Sequence, residues 1–383
     1  MKLATFNVEN MFDRPKAMNQ ETWAEGEKIL KPYKDLNSLI SKDQYTDADK
    51  QDMLKCMQDL GIIYENNKNA WRLSSRPKWV ILRKTRGKFT TQPRDSSQSV
   101  KIVANGRNEW IGWVELRKES VREEAIFNTA RVIKDMDPDV LGVIEADNRP
   151  SLLKFSEDII EKRINGNPFE HIMLVEGNDE RGIDVGVLTK KGFKINFVRS
   201  HVDDKKNGTK IFSRDCPEYE IKTETGKTIW LLINHLKSKG YGGQIDSDNR
   251  RKMQAERVRE IYDELRQGGA EYVASVGDFN DYPDHGPLDP LLKQGSDLKD
   301  VSASDKYKSG GYPGTYGGCG GKDKFDYILL SPELFALIKE AGVYRKGVYA
   351  GKRNPKWEMY ASMTGQPKNA ASDHAMLWVD LDV

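Results

Sequence analysis

Tyr272-Val273-Ala274-Ser275-Val276-Gly277-Asp278-Phe279-Asn280 is a short apolar run that stops at a glycine and turns polar at once. A run of that length bounded by such residues predicts a buried strand. Asp278 and Asn280 then fall at its C-terminal edge, two residues apart, and point the same way while the chain stays extended. That arrangement suits a carboxylate that takes a proton from water beside an amide that holds the water or a phosphate oxygen. Gly, Asp and Asn are also common turn residues, so an Asx-type turn after a strand explains the same letters.

The pattern of an apolar run ending in acids, amides or histidine recurs on both sides of this stretch. Residues 2–8 read as a first strand closed by Asn7, Glu9 and Asn10, whose oxygens suit a hard cation or its waters if they are more than turn residues. Residues 140–144 form an apolar run that ends in Glu145. An unpaired buried carboxylate is costly, so a basic partner or a metal should compensate it. Residues 229–233 lead into Asn234-His235-Leu236-Lys237-Ser238, where His235 is one of only five histidines. It reads either as a hydrogen-bonded core histidine or as a site group. Asp326 opens the run Tyr327-Ile328-Leu329-Leu330, and Ser372-Asp373-His374 precedes Ala375-Met376-Leu377-Trp378-Val379. Strands at 171–175 and 183–188 read as a hairpin with Arg181 at its tip, in the geometry arginine favours for clamping phosphate. Another short strand is expected near 210–213. Helices are expected at 119–137, 151–163 and 247–266, and the glycines of 312–321 suggest a flexible loop.

Length and composition set bounds around this. A chain of 383 residues buries a sizeable core without staples. Its net charge of +2 announces no nucleic-acid binder, so any such footprint must be local. Cys56, Cys216 and Cys319 are isolated and lack CxxC spacing, which disfavours a disulfide framework or a thiolate zinc site and fits a reducing, cytoplasmic setting. No stretch approaches the roughly 18 apolar residues of a membrane span. From about 15 to 120 the character changes. A helix start at Thr46-Asp47-Ala48-Asp49 is followed by a basic, aromatic segment that includes Arg83, Lys84, Arg86, Lys88, Trp110 and Trp113. Asn105-Gly106 reads as a hairpin turn. The segment suits a phosphate backbone with unstacked bases, or it is a solvated hairpin with its tryptophans in the core.

Polar clusters at several strand ends on one sheet edge are how α/β architectures build sites. Carboxylates and amides without a cysteine cluster point to Mg²⁺ or Mn²⁺ rather than zinc. In order, Phe6-Asn7-Val8-Glu9-Asn10, Glu145, Arg181-Gly182-Ile183-Asp184-Val185, Asn234-His235-Leu236-Lys237-Ser238, Gly277-Asp278-Phe279-Asn280, Asp326-Tyr327-Ile328-Leu329 and Ser372-Asp373-His374 resemble the motifs of the endonuclease/exonuclease/phosphatase superfamily. The resemblance runs from the first strand to the last. It implies one α/β domain over 1–383, a four-layer α/β/β/α sandwich of two mixed sheets flanked by helices, with 15–120 as a long insertion. It also implies a metal held by Glu145 with Asn7, Glu9 and Asp373 helping. Asp278 then activates water and Asn280 positions it, His374 binds the scissile phosphate, Asp326 orients that histidine, and His235 assists. Arg181, Asn234 and Lys237, with Arg83, Lys84 and Arg86 of the insertion, are candidate substrate contacts. One departure is Lys324-Phe325-Asp326, where many relatives have Arg-x-Asp.

The expected activity is metal-dependent hydrolysis of phosphodiester bonds in DNA, with RNA as a further substrate. Two alternatives stand beside it: a phosphatase or phosphodiesterase acting on a small-molecule or lipid phosphoester, and a non-catalytic nucleic-acid-binding module.

Overall fold

Along a β-strand successive side chains point to opposite faces, and here that alternation both fills the core and aims the polar strand ends. The computed structural model describes residues 1–383 apart from 10, 12, 19, 21, 22, 180, 240–242 and 294, so Asn10 lies outside the described residues. The chain divides into two compact units, Met1–Phe12 with Val121–Val383, and Asp13–Ser120.

The first unit carries two large sheets. One has seven strands in the order Tyr307–Lys308, Ile338–Tyr344, Met376–Leu381, Lys2–Asn7, Val140–Ala146, Asp184–Thr189 and His171–Val175. The other has six, in the order Lys194–Arg199, Glu218–Lys222, Thr228–His235, Tyr272–Asp278, Asp326–Leu330 and Lys299–Asp300. Both are mixed. Lys2–Asn7 runs parallel to Val140–Ala146 and antiparallel to Met376–Leu381. Thr228–His235 runs parallel to Tyr272–Asp278, which is antiparallel to Asp326–Leu330.

Leu3, Ile233, Val276, Ile328 and Leu377 from the two sheets pack into one buried cluster. Their alternating neighbours Ala4, Phe6 and Val143 pack with Ala130 and Ile133 of the helix Glu123–Met136. On the other sheet Leu232, Val273 and Leu329 pack with Ala255, Val258 and Ile261 of the helix Gln244–Gln267. Helix, sheet, sheet and helix thus make the α/β sandwich that the motif order implies. Each large apolar side chain taken out of water contributes roughly 1.5–3 kcal/mol. The same parity that sends Leu3, Ile233, Val276 and Ile328 inward also sends Asn7, His235, Asp278 and Asp326 to the rim of that core. Glu145 is aimed differently. Ala146 pairs with Asp184 and Ile144 with Val185, so Glu145 is the extra residue of a bulge, with φ 63°. Bulges re-aim a side chain beside a site.

Several local expectations need correction. The strand near 210–213 is only Thr209–Lys210, in a two-residue ribbon with Lys205–Lys206. The helix expected at 151–163 is Arg149–Lys154 continued by the wider turn Phe155–Glu161. The 312–321 loop is pinned, because the buried Arg345 donates to the carbonyls of Ser309, Tyr312 and Gly314 at 2.6, 2.6 and 2.8 Å.

The second unit has helices Trp23–Ile40 and Asp47–Asp59, the latter opened by a capping box between Thr46 and Asp49. Its longest ribbon pairs Val80–Gly87 directly with Trp110–Leu116. Asn105-Gly106 is therefore no hairpin turn, and it leads into the short 3-10 helix Arg107–Glu109. Trp110 is buried and stacks on Phe89 at 4.2 Å, whereas Trp113 is 47% exposed. Among the described residues no helix is long and apolar enough to cross a membrane.

Gly277 has φ 133°, and a Cβ there would lie 2.0 Å from the Asn234 carbonyl oxygen on the paired strand. Gly277→Ala is expected to cost about 2–4 kcal/mol of stability, from backbone strain and the clash together. A urea melt would check this, and a loss under about 0.5 kcal/mol, the size of an ordinary surface substitution, would contradict it.

Candidate active site

Asp278 is the hub of the rim. Its strand neighbours in register are His235 on one side and Asp326 on the other, so three polar side chains arrive at one level by pairing alone. Asp278 is 2% exposed. Its Oδ2 accepts from Asn7 Nδ2 at 3.2 Å and from Asn280 Nδ2 at 3.1 Å. Its Oδ1 accepts the Asn280 backbone N–H at 2.8 Å, closing an Asx turn with Asn280 at φ 54°. Turn and site readings therefore describe the same residues. The Asn280 amide also donates to the Leu236 carbonyl at 3.1 Å, so its first task is to hold the carboxylate.

His374 Nδ1 lies 2.8 Å from Asp326 Oδ2, and His374 Nε2 lies 3.7 Å from Asp278 Oδ2. Burial opposes a charged ring, but Asp326 and Asp278 outweigh it and hold His374 protonated well above the ordinary histidine value. Burial pushes Asp278 the other way, above the usual carboxylate range, helped by the charges of Asp326 and Glu145 and countered by His374. Asp278, Asp326 and His374 offer ligand-type atoms within 4.8 Å of one another. A protonated imidazole has no lone pair for a cation, so this triangle is an ion-pair relay, hydrogen-bonded between His374 and Asp326 and electrostatic between His374 and Asp278.

His235 differs from His374. Its Nε2 sits 3.7 Å from both Glu145 Oε1 and Asp278 Oδ2. Burial, then the charges of Arg214, Arg181 and His374, keep it neutral far below its usual value. The two histidines thus supply one cationic donor and one neutral group. Glu9, with φ 51°, accepts the Asp373 backbone N–H at 3.2 Å, and Asp373 Oδ1 is 4.0 Å from His374 Nε2.

Asn7, Glu9, Glu145, His235, Asp278, Asn280, Asp326, Asp373 and His374 are brought together in this way. Arg181 grips Asp179, with Nη2 2.5 Å from Oδ2. Beside Asp179 lies the fully buried Arg214, which also donates to the Leu236 carbonyl at 2.7 Å. Burial, with Arg214 and Arg181 adding to it, pulls Lys237 down to about 7. Asn234 is not part of the cluster. Alternation turns it away from His235, and its amide donates to Ser275 Oγ at 3.0 Å inside the sheet. Arg83, Lys84 and Arg86 lie in the second unit and do not share one face. Arg83 and Arg86 pair in register with Trp113 and Ile111, whereas Lys84 pairs with Gly112, and Arg83 is already bonded to Glu115 at 2.7 Å. Lys324 bonds Asp300 and Ser302 Oγ instead of reaching toward Asp326's partners.

Three positioning groups had no role assigned from the sequence, although Ser372 stands in the Ser372-Asp373-His374 motif. Ser372 Oγ donates to the Asn7 carbonyl at 2.7 Å and accepts the His374 N–H at 2.9 Å, tying the first and last strands together. Thr315 Oγ1 accepts the Asp326 N–H at 3.1 Å. Arg214 sits in an irregular stretch and becomes a site neighbour only through the tertiary fold.

Residues 92–339 match the Endonuclease/Exonuclease/phosphatase family. No curated protein sequence matches the chain. Among solved structures, the chain is similar to an endonuclease/exonuclease/phosphatase family protein of Bacteroides thetaiotaomicron, at 19% identity over 66% of this chain and 84% of that one, TM-score 0.48. It is similar to a mannosyl-6-phosphatase of the same organism, at 19% identity over 67% and 90%, TM-score 0.48. It is also similar to the human nocturnin catalytic domain, at 16% identity over 68% and 87%, TM-score 0.46. Likeness at this level carries no substrate from those proteins to this chain.

The charges predict a pH response. Asp326 raises both Asp278 and His374. Asp326→Asn should therefore lower both, and the pH window in which Asp278 is ionised and His374 protonated should move toward acid. Rate profiles for hydrolysis of a chromogenic phosphoester check this, and unmoved acid and alkaline limbs would contradict the coupling.

Proposed function

The chain belongs to the endonuclease/exonuclease/phosphatase family, whose members hydrolyse phosphoesters, and from that premise we propose that it is a divalent-metal-dependent nuclease cutting phosphodiester bonds in DNA. The observation that carries the reading is the pairing of a buried carboxylate whose proton affinity is raised with an imidazolium 3.7 Å away. A base for the attacking water and a cationic donor for a non-bridging phosphate oxygen, that close together, suit attack on one phosphorus atom.

The donor set fits a hard cation. Glu145 and Glu9 sit at left-handed positions at the ends of neighbouring strands, Asp373 meets Glu9, and the side-chain oxygens of Asn7, Glu9, Glu145 and Asp373 include no sulfur. The negative charge crowded on Asp278, Asp326 and Glu145 also calls for a compensating cation beyond His374. Mg²⁺ or Mn²⁺ held there would neutralise the phosphate and stabilise the negative charge that builds as the ester bond breaks.

The chain's own groups supply the rest. Asp278 takes the proton from the attacking water, and Asn7 and Asn280 fix its carboxylate so that little reorganisation remains at the moment of reaction. His374 donates from Nε2 to a non-bridging phosphate oxygen while Asp326 holds its Nδ1–H. His235, kept neutral, offers a hydrogen bond without adding a second charge beside Arg214. Arg181 and Lys237 add positive potential for an approaching phosphate.

Asp278→Ala should abolish nicking of supercoiled plasmid in Mg²⁺ or Mn²⁺, and His374→Ala should cut turnover roughly 10²- to 10³-fold with the fold intact by circular dichroism. Turnover of small phosphoesters without any cleavage of plasmid, linear DNA or RNA would assign the site to a phosphatase. DNA retained without cleavage in either metal would assign the chain to binding alone.

A further inference from the structure

Between Glu65 and Asp95 the sequence carries nine Lys or Arg and no acid. Four acids of the second unit, Glu27, Asp35, Asp52 and Asp59, line a different cavity, beside the helices Trp23–Ile40 and Asp47–Asp59. Like charges held together without counter-ions cost free energy, and the fold does not need all nine. Arg72 is spent on the carbonyls of Asp95, Gln98 and Pro93, at 2.7, 3.2 and 2.6 Å, and so pins the 93–98 loop. Arg83 is spent on Glu115. The remaining cations have a different setting.

Two cavities of about 460 and 990 Å³ open on this unit and share Lys84, Gln92 and Pro93 in their walls, so they adjoin as two parts of a groove. Among the described residues no carboxylate lines either one. Lys84, Lys88 and Lys101 line it and are exposed, and among the described residues none of the three ammonium groups has an ion pair. Tyr64, in the wall of the smaller cavity, is 52% exposed, the most exposed tyrosine among the large apolar side chains at the surface.

We propose that this groove, Lys84, Lys88 and Lys101 with Tyr64 and Gln92, is a binding site for single-stranded nucleic acid, separate from the residues that hydrolyse it. The lysines meet successive phosphates, and releasing their counter-ions drives binding. Tyr64 offers a ring on which an unpaired base stacks, and Gln92 and Gln98 offer amides to base edges. A duplex keeps its bases stacked on each other and gives Tyr64 nothing to receive, which favours the single strand. The proposal extends the nuclease reading but does not depend on it, since it concerns binding in the absence of metal.

The test uses the full chain in EDTA with a fluorescent oligothymidylate, by anisotropy across a salt series. Lys84→Gln, Lys88→Gln and Lys101→Gln together should weaken binding at least tenfold and flatten the slope of log affinity against log salt by about 2, as three lost phosphate contacts on a single strand require. Tyr64→Ala should weaken oligonucleotide binding about 5- to 100-fold, the range of one stacking contact, while leaving affinity for inorganic polyphosphate unchanged. Thermal melting verifies that each variant is folded. An unchanged slope in the triple variant overturns the site, and polyphosphate binding as tightly as the oligonucleotide with no effect of Tyr64→Ala overturns nucleic acid as its ligand. An oligonucleotide that binds through these residues yet is never cut in Mg²⁺ supports the groove and sinks only the nuclease reading.

Discussion

A carboxylate sunk between two β-sheets must find a positive partner or give up its charge, because the interior solvates it poorly. Asp326 is fully buried and Asp278 nearly so, directly opposite one another on paired strands. His374 stands between them, its Nδ1 bonded to Asp326 and its Nε2 facing Asp278. The imidazolium makes the juxtaposition of two acids tolerable, and the acids in turn keep the imidazole charged. Much else in the first unit serves that arrangement. Ser372 fixes the backbone entering His374 against the first strand, Thr315 fixes the entry to Asp326, and two amides lock Asp278.

The cluster follows from strand geometry more than from any loop. One parity rule fills the inter-sheet core with Leu3, Ile233, Val276 and Ile328 and delivers Asn7, His235, Asp278 and Asp326 to its edge. A one-residue slip would turn every one of them to the opposite face. Glu145 escapes the rule only because a bulge gives it a place of its own. The rigidity of a packed core thereby becomes the rigidity of the site, which is what fixed dipoles around a developing charge require.

That also explains how much could be read from the letters. Strands buried on both faces appear as apolar runs, and a polar residue ending such a run is conspicuous, so the ends at Asn7, Glu145, His235, Asp278, Asp326 and His374 were legible. Strands of mixed composition were not. The edge strand Lys194–Arg199 and its neighbour Glu218–Lys222 mix charged and apolar residues because one side meets solvent or a side-chain network. Ile338–Tyr344 holds a glycine and two charges, and the helix Trp23–Ile40 hides behind Pro32. Asn234 shows the limit of motif reasoning, since its neighbour His235 faces the cluster while it faces the helix layer. In the second unit composition located the positive charge, but only the register of Val80–Gly87 against Trp110–Leu116 separated Lys84 from Arg83 and Arg86.

The protonation of a single ring therefore bears the weight of the account. Nitrogen-15 chemical shifts of the five histidines, followed across pH in the metal-free chain and assigned with His374→Gln, report it directly. His374 should remain an imidazolium well above the pH at which an ordinary histidine releases its proton, His201, held between Glu218 and Asp204, should also titrate above that pH, and His235 should stay neutral throughout. A His374 ring that titrates at or below the ordinary value would mean that Asp326 and Asp278 do not hold it charged, and the relay described for this site would not exist.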